Sequence, residues 1–429
     1  MECNELNSCE NGKNTFLFLY PNLAVGGIEK WIINEIEQCI PKKNIRFIWL
    51  KYGKLEVFKE WKSLIDNNVE VINTKIGLLT WFKHDKLIFE KNERVTAVCF
   101  GIMDFARLQS LRDEYPDVNF QIFYIIPHFT MSHYYPEMDF SGFIKKYVKD
   151  KVMKIYTRLN EDFNILYFTE RHVDEIRNRY GIHVENQGER ILKPLDIISD
   201  FNVELAKKRS ERKEFRIITC GRFEFPHKGY MIGLINAYAK LKADYHQIKL
   251  DIIGYGAGEN KIKETINSYP EYIQRDINLI GAVEPSKLHC YFDKAHLNIS
   301  VAGGVSSGAR TGIPSIPARH YTYDCQVYGY LPQSKEYALS DKVGDDVCKY
   351  IIEVIKMSEE KYIDLCKKSY DAYAVSRKDV QPEWIFSLKN LNTDKTWRKE
   401  IRTLKVIHYI LELKSVVKVV MRKIKKLIR

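Results

Sequence analysis

The sequence predicts an α/β protein built from two doubly wound domains, followed by a C-terminal amphipathic helix. Three observations carry this reading. Apolar runs of strand length alternate with segments of helical period in both halves of the chain. A chain of 429 residues exceeds one compact domain of ordinary size, so two domains are expected. Apolar residues make up 45% and charged residues 29%, the composition of a globular protein rather than a disordered one.

The first half alternates regularly. "TFLFLYP" (15–21) reads as a strand, and "GGIEKWIINEIEQCI" (26–40) as a helix with apolar residues at 28, 32, 33, 36 and 40. "RFIWLKY" (46–52), "VEVIN" (69–73) and "VTAVCFG" (95–101) read as strands, with a helix over about 103–114. "FQIFYII" (120–126) is a continuous apolar run, as expected of a strand covered on both faces. A long helix near 143–160, the strand "NILYFT" (164–169) and the helix "ERHVDEIRNRYGI" follow, and "RILKPLDI" (190–197) closes this half. The polar stretch 198–213 reads as the connection between domains.

The second half repeats the grammar. "FRIITC" (215–220), "IKLDIIG" (248–254), "INLIG" (277–281) and "HLNISV" (296–301) read as strands, with helices over 230–243, "NKIKETINSY" and "SKLHCYFDKA" between them. A further helix is expected to begin within Ser306 to Thr311. In doubly wound sheets ligands sit at the carboxyl ends of the strands, and with two domains the cleft between them is the default site.

Charge is distributed unevenly. The net charge is +11, yet Lys395 to Arg429 holds twelve Lys or Arg against Glu400 and Glu412, a net of +10. A nucleic-acid enzyme would carry basic residues over its body, so no nucleic-acid partner is expected. The N-terminus lacks a signal peptide's apolar core, and no run of 18 apolar residues suggests a spanning helix. The nine cysteines are scattered without a C-x-x-C pair, which fits reduced cytosolic thiols.

The residues that carry chemistry lie at strand ends. "GRFEFPHKGY" (221–230) places Arg222 and Lys228 around a proline-stiffened turn directly after a strand. Arginine offers a planar fork to phosphate oxygens and lysine a point charge, so the pair suits an anion. Gly26 and Gly27 stand between a strand and a helix, where a backbone can approach a ligand; a tight β–α turn explains them too. Gly254, Gly256 and Gly258 follow a strand, but their spacing is not that of a dinucleotide fingerprint. In "SVAGGVSSGARTGIPSI" (300–316) a strand runs into Gly303-Gly304 and the hydroxyls of Ser306 and Ser307, where helix-start amides would face an anion or a serine would cap the helix.

Taken in order, these landmarks resemble the retaining glycosyltransferases of the large "group 1" family (family four), which have the GT-B fold. The landmarks are the strand–GG-x-E–helix start, the G-R-x5-K-G loop, the I-G-x-G turn, "NLIGAVEPSKLHCYFDKAHLNIS" and the closing G-I-P-S-I. The resemblance spans about 15 to 375 and is strongest from 215 to 316. It implies two Rossmann-like domains facing a cleft, an acceptor-side domain at 1–198 and a nucleotide-sugar domain at 199–375. A segment over 376–394 would return towards the first domain, and 395–429 would form the basic tail.

The family transfers a sugar from a nucleotide-diphosphate donor with retention, usually without a metal or cofactor. On that resemblance Arg222 and Lys228 hold the donor diphosphate as its charge develops, with Gly26 and Gly27 under the phosphates. Gly254, Tyr255 and Ile280 would lie by the nucleoside, and Gly304, Ser306 and Ser307 by the phosphate or sugar. The sequence has no D-x-D, which suits a metal-independent enzyme. His128 resembles the histidine that several members place near the transferred sugar, and a structural role fits it equally; His133 is a second candidate. One departure stands out. The family usually carries two glutamates, eight positions apart, in the segment matching 300–312, and this chain has none there. Ser307 occupies the place of the second.

The tail (401–429) has apolar residues at 413, 416, 417, 420, 424, 427 and 428 and basic ones at 414, 418, 422, 425, 426 and 429. This pattern predicts an amphipathic helix that docks on an anionic membrane surface, or one that packs on the protein body. The expectation is a cytoplasmic transferase peripheral to the inner face of the cell membrane. Its acceptor would be a glycan or a lipid-linked molecule, as in surface polysaccharide or lipopolysaccharide assembly. A protein acceptor, or an inactive binding or scaffold subunit of the same fold, are the alternatives.

Overall fold

The computed structural model describes residues 13 to 427 apart from short segments at 24–26, 42–43, 53–56, 78–79, 92, 128–134, 193–199, 332, 335–342, 376–383 and 392–395; side chains are described to residue 421. The chain forms two compact units. The first comprises Met1–Leu195 with Val380–Arg429, and the second Asp196–Asp379.

Unit 1 is organised by a seven-stranded sheet. Its strands are β1 (Asn14–Tyr20), β2 (Ile45–Lys51), β3 (Val69–Gly77), β4 (Thr80–His84), β5 (Arg94–Cys99), β6 (Asn119–Ile126) and β7 (Ile165–Tyr167). Their order is β4-β3-β2-β1-β5-β6-β7, parallel throughout except that β4 runs antiparallel to β3 at one edge. The period-2 geometry of a strand explains why the inner strands read as unbroken apolar runs. On β1, Leu17 and Leu19 enter one core with Ile48 and Leu50, while Phe16 and Phe18 enter the opposite core with Phe47 and Trp49. The sequence stopped the third strand at 73 and missed β4. The sheet edge there alternates buried and exposed positions and mixes in lysines, so it lacks the apolar run that marked the inner strands.

The helices of unit 1 are α1 (Gly27–Cys39), α2 (Lys59–Asn68), α3 (Ile102–Glu114), α4 (Gly142–Glu161), α5 (Glu170–Tyr180) and α6 (Gln187–Arg190). Unit 2 carries α7 (Val203–Ser210), α8 (Tyr230–Lys242), α9 (Glu259–Asn267), α10 (Glu271–Gln274), α11 (His289–Phe292), α12 (Gly303–Arg310), α13 (Val347–Ile355) and α14 (Glu359–Val375). The chain then supplies unit 1 with α15 (Trp384–Ser387) and α16 (Arg398–Leu427). Trp384, Ile385 and Phe386 of α15 are buried in the core that holds Phe16 and Trp31.

Unit 2 holds a five-stranded parallel sheet of β8 (Phe215–Cys220), β9 (Ile248–Ile253), β10 (Ile277–Gly281), β11 (Leu297–Ser300) and β12 (Ser315–Pro317), in the order β10-β9-β8-β11-β12. The order reverses at β8. The crevice between β8 and β11, at their carboxyl ends, is therefore the topological switch point where doubly wound sheets bind ligands.

Two further expectations change. The stretch 198–213 is not only a connection. It contains α7, whose Ala206 and Arg209 are wholly buried. The Arg209 guanidinium donates to the carbonyls of Asp293 (3.2 Å), Gly312 (3.1 Å) and Thr311 (2.9 Å). Local composition hid this, because the buried group is an arginine whose acceptors lie 84 to 103 residues away. The tail helix begins at Arg398, and its first turns bury Ile401, Leu404, Ile407 and His408 against unit 1. From Leu413 to Met421 every position is exposed. The first part of the helix thus packs on the body, the second of the two sequence readings, while its described end from Leu413 to Met421 does not.

Candidate functional site

The carboxyl edge of the unit 2 sheet is assembled by backbone hydrogen bonds between successive strand exits. The Gly221 amide donates to the Ile253 carbonyl (3.0 Å) and the Gly254 amide to the Gly281 carbonyl (2.9 Å). Phe223, fully buried, pins two loops together. Its amide donates to the Tyr255 carbonyl (2.8 Å), and its own carbonyl accepts from the Gly258 amide (2.8 Å). The loop after β8 is thus locked to the turn after β9, and Arg222 and Lys228 project from a fixed backbone. Gly254 must be glycine here, because a Cβ would run into the Gly221 carbonyl oxygen.

Lys228 lies back across the strand end. A Cβ added at Gly221 would stand 2.9 Å from the Lys228 Nζ and 3.3 Å from its Cδ, so the absence of a side chain at 221 creates the seat for the lysine. Burial, and after it the guanidinium of Arg222, hold the Lys228 ammonium below the usual lysine range, while Cys220 and Glu224 act in the opposite direction. Arg222 is about half exposed and lies 3.4 Å from Glu224. Two cations that disfavour one another at a strand end make a place where an added anion is stabilised.

The β8–β11 side is built by a buried polar chain. The Cys220 amide donates to Ser300 Oγ (3.1 Å), Ser300 Oγ donates to Asn298 Oδ1 (2.7 Å), and Asn298 Nδ2 donates to the Gly304 carbonyl (3.0 Å). It ties the end of the strand that carries the cations to the first turn of α12. Gly304 packs so closely that a Cβ would sit 2.5 Å from the Cys220 carbonyl. Ala302, the residue before α12, has φ +48° and ψ −121°, a region that alanine rarely enters. Among the described residues no carbonyl accepts from the Gly303 amide, which opens the helix at the switch point.

The other named positions fall as follows. Tyr255 is exposed at the exit of β9, and Ile280 packs in a small cluster with Cys220, Val283 and Tyr291. Ser306 lies in the first turn of α12, with its amide on the Ala302 carbonyl (3.3 Å). Ser307 Oγ donates to the Gly303 carbonyl (2.9 Å), so its hydroxyl proton is held by its own helix. Gly27 is the exposed first residue of α1 in unit 1. Two residues on, Glu29 is buried and accepts from the Tyr20 hydroxyl (3.3 Å). Gly26, His128 and His133 lie outside the described residues.

Sequence reasoning missed a segment that braces the cation loop. Residues 318–325, beyond β12, fold over the start of α8: the Tyr321 amide donates to the His227 carbonyl (3.1 Å), and His320 Nδ1 lies 2.8 Å from His227 Nε2. A Cβ at Gly229 would meet the Thr322 carbonyl at 2.5 Å. Lys261 Nζ stands 3.9 Å from the Tyr323 ring centroid and 5.8 Å from that of Phe225. The glycine at 229 and the two histidines were the only local signals of this contact, and pairing them needs the fold. Among the described residues no cluster of three or more His, Cys, Asp or Glu side chains could hold a metal ion.

By sequence the chain matches no protein-family model and no curated protein. By structure it resembles a glycosyltransferase from Rickettsia africae ESF-5, with TM-score 0.54 and 13% identity over 92% of this chain and 99% of that one. It also resembles sucrose-phosphate synthase from Thermosynechococcus elongatus, with TM-score 0.53 and 11% identity over 93% and 99% of the two chains. At such identities the likeness concerns the fold. The chain has the GT-B fold expected from its sequence, two Rossmann-like units with a C-terminal helix.

Proposed function

We propose that this chain is a glycosyltransferase that binds a nucleoside-diphosphate sugar at the carboxyl edge of the unit 2 sheet. One observation carries the reading: Arg222 and the Gly221-seated Lys228 stand beside the α12 start at a topological switch point. The two cations stabilise the diphosphate as it leaves, in the role a divalent ion would otherwise fill. The Gly303 amide adds a backbone donor to the phosphate or sugar. Tyr255 and the residues about Ile280 flank the nucleoside. Transfer proceeds with retention, the donor phosphate taking the acceptor proton.

The acceptor in this reading is a glycan or lipid-linked molecule at the inner face of the cell membrane. The support is the tail, where a net charge of +10 over 395–429 is joined to an exposed apolar stretch. No described helix is long and apolar enough to cross a membrane. A thermal-shift screen of nucleotide sugars tests donor binding first, because a ligand of the native state raises the melting temperature. The stabilising donor is then incubated with candidate lipid-linked, glycan and protein acceptors, and the product's anomeric configuration is read by NMR. Absence of any nucleotide-sugar stabilisation would rule the proposal out.

A second reading has its own support. The first turn of α12 carries no carboxylate, and the Ser307 hydroxyl is engaged with Gly303. A subunit that binds a nucleotide sugar without turning it over fits these facts. Stabilisation by a donor with neither transfer nor hydrolysis would select it.

A further inference from the structure

We propose that unit 1 docks on an anionic phospholipid bilayer through two elements far apart in sequence, the exposed face of α16 and the first turns of α4. This deepens the membrane reading above and rests on it. On α16 the residues buried against unit 1 are Ile401, Leu404, Ile407 and His408, with Tyr409 and Leu411 partly buried on the same core. A second apolar set, Val406, Ile410, Leu413, Val417 and Val420, recurs at helical spacing and is exposed along its whole length. At 3.6 residues per turn the two sets centre about 170° apart, so the second stripe faces away from the body even where the helix is packed. The sequence continues the stripe at 424 and 427.

The apolar side of α4 also outruns the protein that covers it. Val148, Val152, Ile155 and Leu159 are buried at helical spacing. Ile144 lies one turn before Val148 on the same stripe, yet it is exposed, as are Phe143 (82%) and Tyr147 (54%). Exposed aromatic and branched side chains grouped within five residues mark a binding surface. This turn is anchored beside α16: Lys414 donates to the Asp139 carbonyl, and its Nζ lies 5.4 Å from the Phe140 ring centroid. Phe140 precedes α4 by two residues, so the two exposed apolar sets belong to one end of unit 1.

Charge selects the occupant. Lys145, Lys146, Lys149 and Lys154 are exposed on α4, and Lys414 and Lys418 on α16, against the exposed Asp150 and the half-buried Glu412. Amphipathic lysines let apolar neighbours enter the headgroup boundary while their own ammonium groups reach lipid phosphates. A second copy of the same basic surface would meet repulsion, which favours an anionic lipid face over self-association.

The test is co-sedimentation of the full chain with phosphatidylcholine vesicles, with and without phosphatidylglycerol. Wild type is compared with Phe143→Ser/Ile144→Ser/Tyr147→Ser on α4 and with Leu413→Ser/Val417→Ser/Val420→Ser on α16. All six residues are exposed, and a donor thermal shift equal to wild type verifies the fold. Each variant should lower partitioning on the order of tenfold on anionic vesicles, and the combined variant further. Quenching of a Phe143→Trp tryptophan by brominated lipid tails would place that turn in the interface independently. If the α4 variant pellets like wild type while the α16 variant is lost, the two-element surface is wrong and the tail anchor stands. If wild type itself stays in the supernatant, both fail. If light scattering shows a dimer that the variants dissociate, the surface belongs to a second copy and the lipid assignment is overturned.

Discussion

Replacing Lys228 by methionine should move stability and binding in opposite directions. Methionine keeps an unbranched side chain over Gly221 but removes the charge. In the free protein that charge is unfavourable, because burial and the nearby Arg222 depress its pKa below the ordinary value of 10.5. A depressed folded pKa contributes stability that is present above the unfolded pKa and lost as pH falls through the folded one. At neutral pH the protonated lysine is therefore a cost, and Lys228→Met should leave the ligand-free protein as stable as wild type or up to about 1 kcal/mol more so. The difference should shrink as pH rises towards about 10.4. Binding should change the other way. A charge-assisted hydrogen bond to a diphosphate oxygen contributes about 1.5–3 kcal/mol, so affinity should fall roughly 10- to 150-fold. Titration calorimetry with UDP, GDP and ADP measures the second effect, and urea unfolding without nucleotide the first. A variant that unfolds more easily yet binds every nucleotide as wild type does would show that Lys228 is structural.

Other outcomes follow from neighbouring residues. His296 accepts from the Arg216 amide on Nδ1 (3.0 Å) and meets the Arg209 carbonyl on Nε2 (2.8 Å), and burial pushes its pKa down to about 4. Its neutral form therefore stabilises the fold above pH 6.5, and about 3 kcal/mol is lost as pH falls through 4; His296→Asn should flatten that slope in urea titrations. Ala302→Gly should raise the melting temperature, since glycine removes backbone strain on the order of 1–3 kcal/mol at an exposed position, against less than about 1 kcal/mol of added chain entropy. A lower melting temperature would mean that the dihedral angles are not strained. Arg222→Ala should weaken nucleoside-diphosphate binding with little change in unfolding, because the guanidinium is half exposed and its salt-bridge partner among the described residues is the equally exposed Glu224. Ser307→Ala should alter donor turnover by no more than about one hydrogen bond, 0.5–1.5 kcal/mol; a large gain on Ser307→Glu would favour the subunit that binds without turnover.

The alternation of apolar runs with helical periods by itself determined two doubly wound units. A strand covered on both faces is apolar at nearly every position, so β1, β5 and β6 were legible from their own residues. Strand ends are equally local. A glycine or a cation directly after an apolar run already marks the carboxyl edge, which is why Arg222, Lys228, Gly254 and Gly304 could be named without coordinates. Only the tertiary structure decided what braces those residues. The seat of Lys228 on Gly221, the chain from Cys220 through Ser300 and Asn298 to Gly304, and the fold of 318–325 over α8 each join residues distant in sequence or alike in composition to ordinary surface. The tail shows the same division. Its period announced an amphipathic helix, but two apolar stripes on one cylinder cannot be assigned to protein or solvent by spacing alone. The side that packs was settled by α3, α4 and the core around Trp397, because burial depends on which surface a helix meets and not only on the face it offers.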